Sequence, residues 1–211
     1  MVELEYMMCG HIELDALRAS VFLCEDMSVS KPSERTYAKV KNDKDQETVH
    51  LDHPCFGYLQ LNYMKNPFLY VTTPPMKCLF GVQNNKFNQF QMSLQFTDLD
   101  TDPAMKSFYD FIEQTEFVCM RHLGLKAEEG DRLITQIKRD KHKKYEPNLQ
   151  VKLPFRYNRF ETDIYSNHSA TVNILQVPSF ARVQCDIYLD KVWKMNDIFH
   201  GKWKCRCIHL L

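Results

Sequence analysis

The chain has 211 residues, and its 27 Lys+Arg are matched by 27 Asp+Glu, so the formal net charge is zero. With 44% hydrophobic and 26% charged residues the composition is that of an ordinary globular domain able to bury a substantial core. No apolar run reaches the roughly 18 residues of a bilayer span. The six glycines and the absence of Gly/Ser-rich or Pro-rich tracts exclude a long linker, and the acidic start "MVELEYMM" does not read as a signal peptide. The expectation is a soluble protein with no membrane partner.

Residues 1–30 carry Glu3, Glu5, Glu13, Asp15, Glu25 and Asp26 against only Arg18, an acidic segment suited to a neighbouring subunit's cations. "HIELDALRASVFLCED" (11–26) fits helix or strand. "RTYAKVK" and "ETVHL" predict a hairpin closed by the polar turn "NDKDQ" (42–46). "HLDH" (50–53) reads as a polar strand end. Period-two alternation then predicts strands at 57–64 and 69–73. It is clearest in "FQMSLQF", where Phe90, Met92, Leu94 and Phe96 alternate with polar residues. "TDLDTD" (97–102) could hold a divalent ion for a metal-dependent enzyme, but its better use is to cap a helix. Asp102 stands as N-cap with Pro103 at the first helical position. Phe108, Phe111, Ile112, Thr115, Val118, Cys119 and His122 follow a helical rhythm that ends near Gly124. Leu133, Ile134 and Ile137 predict a second, shorter helix from Ala127 to about Lys138. Further strands are expected at 149–153, 159–165, 170–177, 181–189 and 202–210.

Strands, then helices, then about five strands argue against a doubly wound parallel sheet. The expected class is mainly β (α+β), an antiparallel barrel with a helical insertion around residues 103–138 and extra N-terminal strands. Residues 1–67 form an extension packed on a core spanning 68–211. The eight cysteines are irregularly spaced. Reduced thiols in a cytosolic or nuclear setting fit them better than disulfides or a metal site. "CRC" (205–207) is too closely spaced for a common zinc half-site, and in a regular strand both thiols would face one side.

Between Lys138 and Arg159 the chain concentrates eight basic residues, Lys138, Arg139, Lys141, Lys143, Lys144, Lys152, Arg156 and Arg159, against Asp140 and Glu146. Tyr145, Phe155, Tyr157 and Phe160 are interleaved with them. Cations neutralise phosphates and exposed rings stack on unpaired bases, so the pattern suits single-stranded nucleic acid. The plainer reading of "KRDKHKK" is a solvated helix end. No GxGxxG, P-loop, GxSxG or HExxH occurs, so no catalytic residues, cofactor or metal are expected.

"YVTTPPMKCLFGV" (70–82), the strand "FQMSLQF", "FYDFIEQ" (108–114), "YEPNLQVKLPF" (145–155) and "HGKWKCRCIHL" (200–210) follow one another in an order that resembles the single-stranded-DNA-binding proteins of large eukaryotic DNA viruses. The resemblance covers roughly residues 68–210. It implies an OB-type barrel that coats single-stranded DNA during replication or recombination without catalysis, binding as a homo-oligomer or cooperatively, with replication proteins as candidate further partners. The setting implied is the nucleus or a cytoplasmic replication site of the host cell. It adds Trp203 and Lys204 to the binding residues, beside Tyr145, Tyr157 and Phe160 of the basic run. Several proteins of this class end in an acidic tail, whereas this chain ends in "CIHLL". The alternative is a viral structural or assembly β-barrel that packs against copies of itself.

Overall fold

The structure, a computed structural model, describes residues 11–12, 27–30, 58–63, 69–85, 89–166, 172–195 and 197–211. The expected hairpin of residues 35–51, the "HLDH" pair and most of the acidic N-terminal segment lie outside these. Among the described residues the strands are β1 His11–Ile12, β2 Met27–Ser30, β3 Tyr58–Tyr63, β4 Leu69–Thr72, β5 Met76–Cys78, β6 Gln83–Asn84, β7 Phe90–Gln95, β8 Leu133–Ile134, β9 Ile137–Lys138, β10 Asn148–Leu153, β11 Phe155–Arg156, β12 Arg159–Phe160, β13 Asp163–Ser166, β14 Arg182–Met195 and β15 Ile198–Leu210. Among the described residues one α-helix, α1, spans Pro103–His122 between β7 and β10.

Five strands close on themselves in the order β5-β7-β10-β15-β14 and back to β5. The result is a mainly β, OB-like barrel. A ring with an odd number of strands cannot alternate direction all the way round, so one neighbouring pair must be parallel. That pair is β10–β15, joined at Lys152↔Lys204. The other four pairings are antiparallel. The sheet also extends beyond the ring, where β4 and β3 pair with β14, and β1 and β2 pair with β4 and β3.

Alternation explains the closure. Met92 and Leu94 on β7, Leu149 and Val151 on β10, Val183, Cys185 and Ile187 on β14, and Trp203 and Cys205 on β15 are all buried. β14 and β15 form one long hairpin whose register slips twice, between Leu189 and Val192 and between Asp186 and Ile187. At the second slip Asp186 faces Cys207 while Ile187 faces Cys205, leaving Arg206 as the extra residue. Such bulges bend and twist strands, as a small barrel requires.

The N-terminus of α1 follows its local sequence. Asp102 Oδ1 accepts hydrogen bonds from the amides of Ala104 (2.9 Å) and Met105 (3.2 Å), and Pro103 opens the helix. At the other end Gly124 adopts φ +70°, while its N–H reaches Arg121 O and the Leu125 N–H reaches Met120 O. This two-bond cap favours glycine at the left-handed position. The helix covers one mouth of the barrel, with Phe111 6.0 Å from Trp203 and Phe108 5.8 Å from Phe96 between ring centres. Thr115, Phe108, Phe111 and Ile112 are buried beneath it. At the opposite mouth Phe90, Phe155 and Phe160 pack together at 4.8–4.9 Å.

Three sequence expectations are corrected. No second α-helix covers 127–138. Ala127–Arg132 is a short 3-10 helix, followed by β8 and β9, which add to β15 and β10. Leu133, Ile134 and Ile137 suit a short strand as well as a helix face. The ladder edges, together with Glu116, decide the matter. From α1, its carboxylate accepts from Thr135 Oγ1 (2.8 Å) and the Gln136 amide (3.0 Å) at the corner between the two strands. In place of the strand expected at 170–177, the described residues 172–177 hold a 3-10 turn at Ile174–Gln176, capped by Asn173, and residues 170–171 lie outside the described ones. The expected strand at 159–165 is divided into β12 and β13.

Candidate nucleic-acid interface

Register places side chains from six strands in one row across the outside of the barrel. Tyr70 pairs with Tyr188, Tyr188 with Lys204, Lys204 with Lys152, Lys152 with Gln91, and Gln91 with Gln83. At about 4.8 Å per strand the row is roughly 24 Å long. It runs from two rings through two ammonium groups to two amides. Tyr70, Tyr188, Lys204, Lys152 and Gln91 are half-buried, and Gln83 is exposed.

Around the row the charge is mostly positive. Lys204 Nζ meets Asp190 at 2.6 Å and Arg156 Nε meets Glu161 at 3.5 Å. The Arg206 guanidinium lies 5.9 Å from the Tyr70 ring, whose centre is 5.4 Å from that of Tyr188. Burial holds the Lys152 ammonium below its ordinary pKa, and Lys202, Lys204 and Arg156 push the same way, against Asp190. Like charges packed together destabilise one another, and a polyanion laid across them relieves the repulsion. Burial, then Asp190 and Tyr70, pushes the Tyr188 phenol up to about 12, so its ring stays neutral. Beyond the row, Lys202 Nζ stands 5.4 Å from the Trp193 ring, which stacks on His200 at 5.8 Å.

The basic run seen in sequence is not one surface. Lys152, Arg156 and Lys204 meet at the row, through the register pair and the mutual field of the three cations. Tyr157 and Asn158 form the two-residue turn between β11 and β12, with φ of 50° and 58°, and Arg156 pairs with Arg159 at its base. Positive φ at both central residues suits the hairpin twist but is unusual for a tyrosine. Its ring is 94% exposed. Lys138, by contrast, pairs with Asn148 at the start of β10, about 13 Å along the strand from Lys152. Arg139 is engaged with Glu113 and Tyr109 of α1. Lys141, Lys143 and Lys144 lie exposed in the loop beyond, and the Lys144 amide bonds to Asp140. Tyr145 is 65% exposed beside the Lys144 ammonium. β10 therefore separates this loop from the row.

Two of the expected rings are engaged in packing, Trp203 buried and Phe160 half-buried. Trp203 is 1% exposed beneath α1, because its strand position faces the core while Lys202 and Lys204 face outward. Phe160 is packed against Phe90 and Phe155. Reading single segments missed Tyr70, Tyr188, Lys202, Arg206, Gln91 and Trp193. The alternation in "KWKCR" (202–206) is the signal that contains Lys202, Lys204 and Arg206.

Cys78, Cys119, Cys185, Cys205 and Cys207 are buried free thiols. Burial pushes Cys78 up to about 11 and Cys119 up to about 12. The bulge at Arg206 parts Cys205 from Cys207. Cys205 stands opposite Ile187 in the core and Cys207 opposite Asp186, so the thiols do not share a side as a regular strand would have it. Of the 97–102 carboxylates, Asp102 is the helix cap.

Gly81 ends the "LFG" segment with φ +66°, and a Cβ there would stand 2.4 Å from Val177 O. The close approach locks the β5–β6 connection against the segment before β14.

No protein-family model matches the chain, and no curated protein matches it. Among solved structures it is similar to the single-stranded DNA-binding protein from bacteriophage Enc34, with a TM-score of 0.48, 13% identity and coverage of 67% of this chain and 79% of that one. A C-terminal truncation of the same phage protein gives 0.47, 14%, 67% and 83%, and its complex with single-stranded DNA gives 0.46, 13%, 67% and 85%. All three are phage proteins rather than proteins of a large eukaryotic DNA virus.

Proposed function

We propose that the chain binds single-stranded DNA without sequence preference, along the row from Tyr70 to Gln83, and performs no catalysis. The row itself carries this reading. Tyrosine faces accept any base, ammonium groups follow the phosphates, and neither distinguishes one sequence from another. In an OB fold the outer face of the second and third barrel strands, with the loops between strands one and two and between four and five, is where oligonucleotides bind. Here those are β7, β10, the described residues 79–85, and the ends of β14 and β15 at Met195 and Ile198. Tyr157, exposed at the β11–β12 turn one residue after Arg156, supplies a further ring for stacking. The motif resemblance supports a role in viral DNA replication or recombination, in a reducing compartment, through a homo-oligomer and with replication proteins as further partners.

Titration of a labelled oligo-dT at about 50 and about 200 mM salt tests the reading, with poly-A RNA and duplex DNA as competitors. Binding is expected to weaken with salt and to resist duplex competition. Tyr157→Asn keeps a residue that tolerates the left-handed turn while removing the ring. It should weaken binding by about 1–3 kcal/mol without altering the salt slope. Equal competition by duplex, or affinity indifferent to salt, defeats the proposal.

A further inference from the structure

Across the bulge from the row, three ligand-type side chains converge, two from one strand and the third from its partner strand. Asp186 of β14 faces Cys207 of β15, and His209 follows two residues on along the same strand. Cys207 Sγ lies 3.3 Å from His209 Nε2, which lies 3.8 Å from Asp186 Oδ2. All three ligand atoms lie within 4.8 Å of one another. We propose that Asp186, Cys207 and His209 form a binding site for a zinc-like divalent cation, with one coordination position left for water or an exogenous ligand.

The geometry suits that ion. Bonds of about 2.0–2.3 Å in tetrahedral zinc set neighbouring ligand atoms roughly 3.3–3.8 Å apart. Two of the separations already fall in that interval. One thiolate, one imidazole and one carboxylate form a mixed donor set that favours zinc or cobalt over magnesium or calcium, which prefer oxygen ligands. An outer shell is also in place. Thr72 Oγ1 donates to Asp186 Oδ1 at 2.8 Å, orienting the carboxylate, and the His209 ring stacks on Tyr165 at 5.7 Å.

The charge environment favours a cation. On its other side Cys207 pairs with Asp163 of β13, so two carboxylates flank the thiol. Burial, then Asp186 and Asp163, pushes that thiol up to about 12. A bound divalent ion reverses this field, and the thiol proton is released to solvent as the metal–sulfur bond forms. Occupancy would tie together β14 and β15.

The test uses the full chain with its thiols reduced, titrated with Co²⁺ alone. The expected result is a thiolate-to-cobalt charge-transfer band that saturates at one equivalent and is bleached by Zn²⁺. Cys207→Ser should abolish the band, and His209→Gln should weaken cobalt binding at least about tenfold. His142→Ala, in the exposed loop, should leave both unchanged. Zn²⁺ should also raise the melting temperature of the wild type but not that of Cys207→Ser. Circular dichroism establishes that each variant is folded, and His209→Gln serves if Cys207→Ser is not. A folded, reduced chain without the band overturns the site. So does a band that survives the loss of both side chains.

Discussion

Replacing Lys152, Lys202 and Lys204 together by alanine should lower affinity for oligo-dT about a hundredfold near 0.1 M salt. Each phosphate neutralised on a single strand contributes a salt slope of about 0.7, so three lost contacts flatten the slope by roughly 2. At 0.1 M that is about two orders of magnitude relative to 1 M. The protein should remain folded, since Lys152 is disfavoured in its charged form by burial and by its two neighbours. The loss of the Lys204–Asp190 pair works the other way. Replacing Lys141, Lys143 and Lys144 is the matching control. Those cations stand in the loop beside α1, and their removal should change the slope by less than about 0.7. If the loop variant loses affinity and the strand variant does not, the ligand runs past α1 and the row is not its path.

Trp203→Ala should cost about 3–5 kcal/mol of folding stability, as large-to-small changes at buried aromatic positions do. For a chain of this size that corresponds to a fall in melting temperature of about 6–20 °C. The ring is 1% exposed against Phe111, so its removal leaves a void between α1 and the barrel wall. A surface stacking residue would behave oppositely, losing affinity while melting as the wild type does. Calorimetry and oligo-dT titration of the same variant therefore separate the two roles. Unchanged melting would place Trp203 at the interface after all.

Local signals in the sequence were reliable where local physics decides. The alternation of "FQMSLQF" and "LQVKL" became β7 and β10, paired residue for residue from Asn148↔Gln95 to Leu153↔Phe90. Asp102, Pro103 and Gly124 marked the ends of α1 because each satisfies or frees a backbone group at a helix terminus. Residues 127–138 were misread because their apolar spacing fits two conformations, and the choice was made by the edges of β10 and β15, distant in sequence. The site was legible only in fragments for the same reason. Lys138 and Lys152 are near in sequence but lie at different ends of a strand, while Tyr70 and Lys204 are joined only through Tyr188. One extra residue, Arg206, was enough to send Cys205 and Cys207 to different surroundings.

The parallel seam that shuts the barrel has a dynamic consequence. Where β10 meets β15 the register pair is Lys152 with Lys204, so the two strands are joined at a point where their side chains repel. Breathing of the barrel is then easiest along this line, and amide protons beside it should exchange with solvent sooner than those of the long β14–β15 hairpin. A phosphate bridging both ammonium groups would act as a clasp. If single-stranded DNA binds as proposed, its phosphates should therefore also slow amide exchange along this seam.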